Sequence, residues 1–136
     1  MTPDAAILSA QPCPCGSGAT YAGCCARWHA GPLALAAPDA PSLVRSRYCG
    51  FELGLTDYLL ATWHPDTRPS RIEFPPKLRW LGLELRASTL TDANHATVEF
   101  VARSKLAGRA MRLHETSRFV RVDGRWLYLD GRLHGR

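Results

Sequence analysis

Four of the five cysteines of this chain fall within thirteen residues, as Cys13-Pro14-Cys15 and then Cys24-Cys25. A tetrahedral zinc site needs four thiolate or imidazole donors at about 2.0–2.3 Å. The spacing C-x-C-x8-C-C supplies two close pairs flanking Gly16-Ser17-Gly18, a turn whose backbone amides can face the sulfurs and offset thiolate charge. Met1 to Gln11 carries Asp4, no basic region and only a short apolar stretch, so it does not read as a secretory leader. A cytoplasmic, reducing location is therefore expected, in which the thiols stay unpaired. The expected ligands are Cys13, Cys15, Cys24 and Cys25, holding one structural Zn2+ per chain with every coordination position filled by protein. His29 is an alternative to Cys25 as the fourth donor, and Cys49, inside a helical segment, reads as core.

A second set of candidate groups follows from strand register. Asp123-Gly124 is a two-residue hairpin signal, because both central positions of a type I′ turn need positive φ. Counting outward from it pairs Val122 with Arg125, Phe119 with Tyr128 and Ser117 with Asp130. One face then holds Met111, Leu113, Glu115, Ser117 and Phe119 with Trp126, Tyr128 and Asp130, mostly apolar with two carboxylates at its far end. A carboxylate on such a face needs a partner, and Arg45, Arg47 or Tyr48 is the expected one. The functional alternative is a ligand pocket of Tyr48, Trp63, Leu113, Glu115, Ser117, Phe119, Trp126, Tyr128 and Asp130. In it Glu115 or Asp130 would serve as general acid/base, with His64 as a third candidate. Arg47, Arg68 and Arg118 are candidates for an anionic ligand.

These residues require elements to position them. Val44, Tyr48, Phe51, Leu55, Tyr58 and Thr62 recur at helical spacing, predicting a helical segment over Leu43–Trp63 capped by Asp39 or Ser42 and ended by Pro65. Gly50 and Gly54 within it imply either close approach of another backbone or a break into two helices. Residues 65–78 hold four prolines and read as a loop. Strands are expected at Trp80–Ala87 with Leu81, Leu83 and Leu85 inward, at Ala96–Arg103, at Arg109–Val122 and at Arg125–Asp130. The fold class is α+β, a helical segment packed on a curved antiparallel sheet of about four strands, preceded by a small zinc knuckle. The expected division is a flexible N-terminus at 1–11, the knuckle at 12–29, an Ala/Pro linker at 30–42 and the main domain at 43–136. Chelation is then expected to unfold 12–29 and spare the main domain.

Composition bounds the rest. The chain has 136 residues, 46% hydrophobic and 21% charged, which excludes disorder as the main state. No run of 18 uncharged apolar residues occurs, so no helix is expected to span a membrane. The formal charge is +5, and all but two of the 17 Lys+Arg residues are arginines, the exceptions being Lys77 and Lys105. That balance permits RNA or phosphate contact, although it equally describes an ordinary solvated surface. No G-x-S-x-G elbow and no phosphate-binding glycine loop appears.

Residues 12–25, PCPCGSGATYAGCC, resemble the SEC-C zinc motif found at the C-terminus of the SecA translocation ATPase and in many small bacterial proteins. The matching residues are Cys13, Cys15, Gly16, Ser17, Gly18, Tyr21, Cys24 and Cys25. LVRSRYCGFELGLTDYLLATWHPDTRP (43–69) and HETSRFVRVDGRWLYLDG (114–131) resemble the YchJ family, also called UPF0225, a bacterial group of uncharacterised function. That resemblance implies an NTF2-like main domain, a cone of long helix and curved sheet around a pocket. The expectation is a zinc-binding adaptor or binding protein. Its knuckle would meet a protein partner, ribosome- or secretion-linked as the likeness to the SecA tail implies, and its pocket would take a small ligand. The alternatives are a small-pocket hydrolase or isomerase using Glu115 and Asp130, and an RNA-binding protein using its arginines.

Overall fold

The computed structural model describes residues 5–135 of the chain, with side-chain environments from residue 8. The expected flexible N-terminus lies partly outside the described residues, and Ala5–Ala10 within it is a helix, α1. A four-residue helix, α2 (Ala26–His29), ends the cysteine-rich segment.

The main helical segment divides as Gly54 permits. α3 spans Ala40–Leu53 and α4 spans Thr56–Ala61, and Gly54 closes α3 at φ 69°, a left-handed conformation that glycine adopts without a Cβ clash. α3 starts three residues earlier than the periodicity indicated. The Asp39 side chain accepts from the Ser42 N–H at 2.8 Å, with Pro41 in the first turn where its missing N–H costs nothing. The 30–42 segment is therefore not free linker throughout. Ala40–Ser42 are helical, and Ala37 and Ala40 are buried in the main core.

Gly50 has a separate reason. A Cβ there would stand 2.9 Å from Leu59 Cδ2 and 3.2 Å from Leu59 Cγ, so the glycine lets α4 fold back against α3. Gly50→Ala is expected to destabilise the fold by about 1–2 kcal/mol, because overpacking against the fully buried Leu59 exceeds the gain in helix propensity. Denaturant titration checks this, and a stabilised Gly50→Ala protein would show that the two helices have slack between them.

Four antiparallel strands follow in simple meander order: β1 (Leu78–Asp92), β2 (His95–Leu106), β3 (Arg109–Val122) and β4 (Arg125–Leu133). Asp123 and Gly124 take φ 52° and 78°, as the type I′ reading requires, and Ala107-Gly108 forms a second such turn. Ala96, Val98 and Ala102 of β2 are buried against α3. Leu81 departs from the alternation expected for β1. The register shifts between Trp80 and Gly82, and Leu81 is 60% exposed while Leu83 and Leu85 keep the inner face. The result is α+β, with the helices on one face of a twisted, bulged sheet.

Candidate metal centre and pocket

The cysteine segment does not stand apart from the body. Cys13, Cys15, Tyr21, Cys24 and Cys25 share one buried cluster with Tyr48 and Cys49 of α3 and Ala102 of β2. Trp28 of α2 is buried in the other core cluster, beside Leu43, Val44, Val98 and Phe119. The backbone of the loop is set by Gly16 and Gly18, at φ 79° and 93°.

The sulfurs of Cys13, Cys15, Cys25 and Cys49 all lie within 4.8 Å of one another. All four residues are buried, from 0% to 3% exposed. A tetrahedral cation with sulfur ligands at about 2.3 Å requires sulfurs about 3.8 Å apart, and Cys13 Sγ is 3.5 Å from Cys49 Sγ. This buried four-cysteine cluster can hold a metal ion. The donor chemistry agrees. Hydrogen bonds from Cys13, Cys25 and Cys49 push the Cys15 thiol well below its ordinary value, and bonds with Cys13 and Cys15 push Cys25 and Cys49 well above theirs. Sulfurs so close cannot all ionise without a compensating cation.

Three of the four expected ligands, Cys13, Cys15 and Cys25, are in this group. Cys24 borders it, with its Sγ 3.7 Å from Cys15, 4.0 Å from Cys25 and 3.1 Å from the Ser17 hydroxyl. Cys49, read from sequence as plain core, lies inside it. His29 is not positioned as a donor, since Nε2–H donates to the Ser46 carbonyl at 2.9 Å and Nδ1 accepts from Tyr21 OH. Burial lowers the His29 pKa, which favours this neutral ring.

On the far side of α3, a cavity of about 270 Å³ opens between the helices and the inner sheet face. Val44, Arg47, Tyr48 and Phe51 line it from α3, and Trp63 from the segment after α4. The sheet contributes Trp80, Leu83, Phe100, Ala102, Leu113, Glu115, Ser117, Phe119 and Tyr128. Seven of the nine expected pocket residues are there. Glu115 accepts from Ser117 Oγ at 2.5 Å and from Tyr128 OH at 3.4 Å, so its partners are these two hydroxyls rather than the expected Arg45, Arg47 or Tyr48. A Cβ at residue 131 would overlap its carboxyl group, and Gly131 leaves the space it occupies.

The two missing residues have physical reasons. A bulge between Arg118 and Phe119 pairs Ser117 with Gly131 and Arg118 with Asp130. Asp130 therefore turns to the outer face, where Arg118 Nε and Nη2 donate to its two oxygens at 2.7 and 2.6 Å and hold its carboxyl below the usual carboxylate range. Trp126 is buried in the core cluster with Phe119 rather than at the cavity wall. His64 is also elsewhere. Its Nδ1 accepts from the Asp66 N–H at 3.0 Å in the turn after α4. Of the arginine candidates, Arg68 donates to the Leu60 carbonyl at 3.2 Å, and only Arg47 lines the cavity.

Arg47 is the residue whose role sequence reasoning understated. It is 6% exposed, and Nη1 donates to the Leu59 carbonyl at 2.9 Å and to Thr62 Oγ1 at 2.7 Å. Its guanidinium lies 4.9 Å from the Trp63 ring centroid and 4.8 Å from that of Tyr128. Burial lowers its pKa to about 10, so it remains charged at neutral pH.

The comparisons agree with this architecture. The family model described as YchJ, middle NTF2-like domain, matches residues 39–131, and that of the SEC-C motif matches residues 10–27. The UPF0225 protein of Bordetella pertussis is 61% identical over 120 residues, covering 88% of this chain and 90% of that protein. The UPF0225 protein of Methylibium petroleiphilum is 61% identical over 134 residues, covering 98% and 96%. A solution structure of a SEC-C motif containing protein from Rhodopseudomonas palustris superimposes with TM-score 0.77 at 32% identity, covering 90% of this chain and 98% of that one. A crystal structure of a SEC-C motif containing protein from Psychrobacter arcticus gives TM-score 0.77 at 28% identity, covering 96% and 86%. With its cysteine-rich SEC-C segment packed against an NTF2-like body, the chain belongs to the UPF0225 (YchJ) family.

Proposed function

We propose that this chain is a zinc-stabilised binding protein whose cavity takes a small, largely apolar molecule with one polar end. The observation that carries this reading is the distribution of groups around the cavity. Its wall is aromatic and aliphatic, while Arg47, Glu115, Ser117 and Tyr128 are joined to one another by hydrogen bonds and ring contact. An apolar ligand body would gain by burial, and its polar end would meet that group. Glu115 is tied to two hydroxyls, which favours positioning a ligand over moving a proton. Zinc is the cation that an all-thiolate, four-donor structural site suits best. None of the five cysteines is in a disulfide, in keeping with a cytoplasmic setting. No helix among the described residues is long and apolar enough to cross a membrane. The exposed, uncharged loop Gly16–Thr20 is the face the knuckle would offer a protein partner.

Saturation-transfer NMR with 3-phenylpropanol and 3-phenylpropanoate tests the cavity. Transfer to the aromatic protons is expected for the wild type and not for Leu113→Trp, whose indole fills the space. Absence of transfer at millimolar probe, or transfer unchanged in Leu113→Trp, would remove the proposal.

A further inference from the structure

Successive side chains of a strand point to opposite faces of the sheet. On β3, Leu113, Glu115 and Ser117 line the cavity, so His114 and Thr116 stand on the outer face, away from the helices. On β2, Phe100 and Ala102 line the cavity, and Glu99 faces outward. Glu99 pairs with Thr116, which sets it diagonally beside His114. Its Oε2 lies 2.7 Å from His114 Nε2. The third member follows β4. Counted without interruption from the Asp123-Gly124 turn, His134 would stand opposite Leu113 and share its inner face. The bulge between Arg118 and Phe119 moves that pairing by one residue. The His134 N–H then donates to the His114 carbonyl at 2.8 Å, and the two rings stack with centroids 3.9 Å apart. Thr116 Oγ1, 2.7 Å from His134 Nε2, holds that ring in place.

We infer that Glu99, His114 and His134 form a zinc site on the outer face of the sheet, with three protein ligands and an open coordination position. Ligand atoms of the three residues all lie within 4.8 Å of one another. On a tetrahedral zinc ion with bonds of about 2.0–2.2 Å, nitrogen and oxygen ligands stand roughly 3.3–3.5 Å apart. Side-chain rotation alone brings the three atoms to that spacing, since the backbone is already fixed by the ladder. The His114 hydrogen bond holds the Glu99 carboxyl below the usual carboxylate range, so a negative charge is present to meet a divalent cation. Arg86, whose charge acts on the same carboxyl, is engaged with Glu84, its Nε donating to Oε2 at 3.3 Å. The His114 side chain is 16% exposed and that of Glu99 31%, so the group is shielded yet open on one side. Two imidazoles and a carboxylate leave the fourth position of zinc to water or to an anion from solution. The site shares no residue with the cysteine cluster or the cavity.

Zinc titration of the full chain, its cysteine cluster already loaded, tests this. Calorimetry is expected to show one further equivalent bound, and the ring protons of His114 and His134 should shift together in NMR. Those ring signals report the site whatever the cysteines hold. His134→Gln and Glu99→Gln should each weaken this equivalent by about tenfold or more, the least that losing even an outer partner of a ligand costs, without releasing cysteine-bound zinc. His134 lies past the last strand, so its replacement leaves the sheet intact. No further equivalent, one bound as tightly by both variants, or ring shifts at His64 or His95 instead would overturn the assignment.

Discussion

Chelating the cation from the loaded protein is expected to loosen the whole chain, with a fall in Tm of about 15 °C or more given the free energy that four-ligand zinc sites supply to small folds. The reason is shared packing. The knuckle cysteines and Tyr21 are buried against Tyr48, Cys49 and Ala102, with Trp80, Phe100 and Leu113 packed on the same cluster. Five of these, Tyr48, Trp80, Phe100, Ala102 and Leu113, also line the cavity. A knuckle that releases its metal removes one wall of that core and exposes α3 and the inner strands. This revises the expectation that residues 12–29 would unfold alone. Hydrogen exchange checks it residue by residue: protection should fall at Ala102 and along α3 on chelation. Knuckle amides that exchange freely while β2 and α3 keep full protection would show that the two parts are energetically independent.

Arg47→Lys is expected to cost about 2–4 kcal/mol, far more than a like-charge replacement on a surface. A guanidinium can lie flat against the Trp63 and Tyr128 rings and still donate from one edge to the Leu59 carbonyl and Thr62 Oγ1. A lysine ammonium is a compact charge that cannot do both, and the burial that lowers the Arg47 pKa to about 10 would act on it as well. Loss of the Arg47 bonds also frees the end of α4, since Thr62 in turn donates to the Tyr58 carbonyl at 2.8 Å. Denaturant midpoints measure the stability change, and the phenylpropanoid probes should lose saturation transfer in the same variant. A change within about 0.5 kcal/mol, typical of an exposed position, would mean that the two rings and two acceptors contribute nothing specific to this side chain.

The readings that succeeded rest on chemistry confined to a few neighbouring residues. Asp123-Gly124 forms the type I′ turn because those two residue types tolerate positive φ. Asp39 caps α3 through a contact three residues away. β3 runs over Arg109–Val122 as its alternation indicated, which puts Glu115, Ser117 and Phe119 on one face, and Tyr128 joins them because its pairing with Phe119 lies between the turn and the bulge. Asp130 was lost where that count met a bulge. One extra residue in β4 inverts the side chains beyond it on that strand, and no residue type marks where a ladder will slip.

By itself the amino-acid order determined that close-spaced thiols could hold a cation, that a helical segment precedes an antiparallel meander, and that aromatic groups gather on one face of it. Only the folded chain decided which sulfurs meet, which carboxylate stays inside, and that an arginine is buried among rings. Spacing constrains donors within a short loop. The approach of Cys49 across 36 residues to Cys13, the turning out of Asp130 and the enclosure of Arg47 depend on how helix and sheet pack, and packing is a property of contacts distant in sequence.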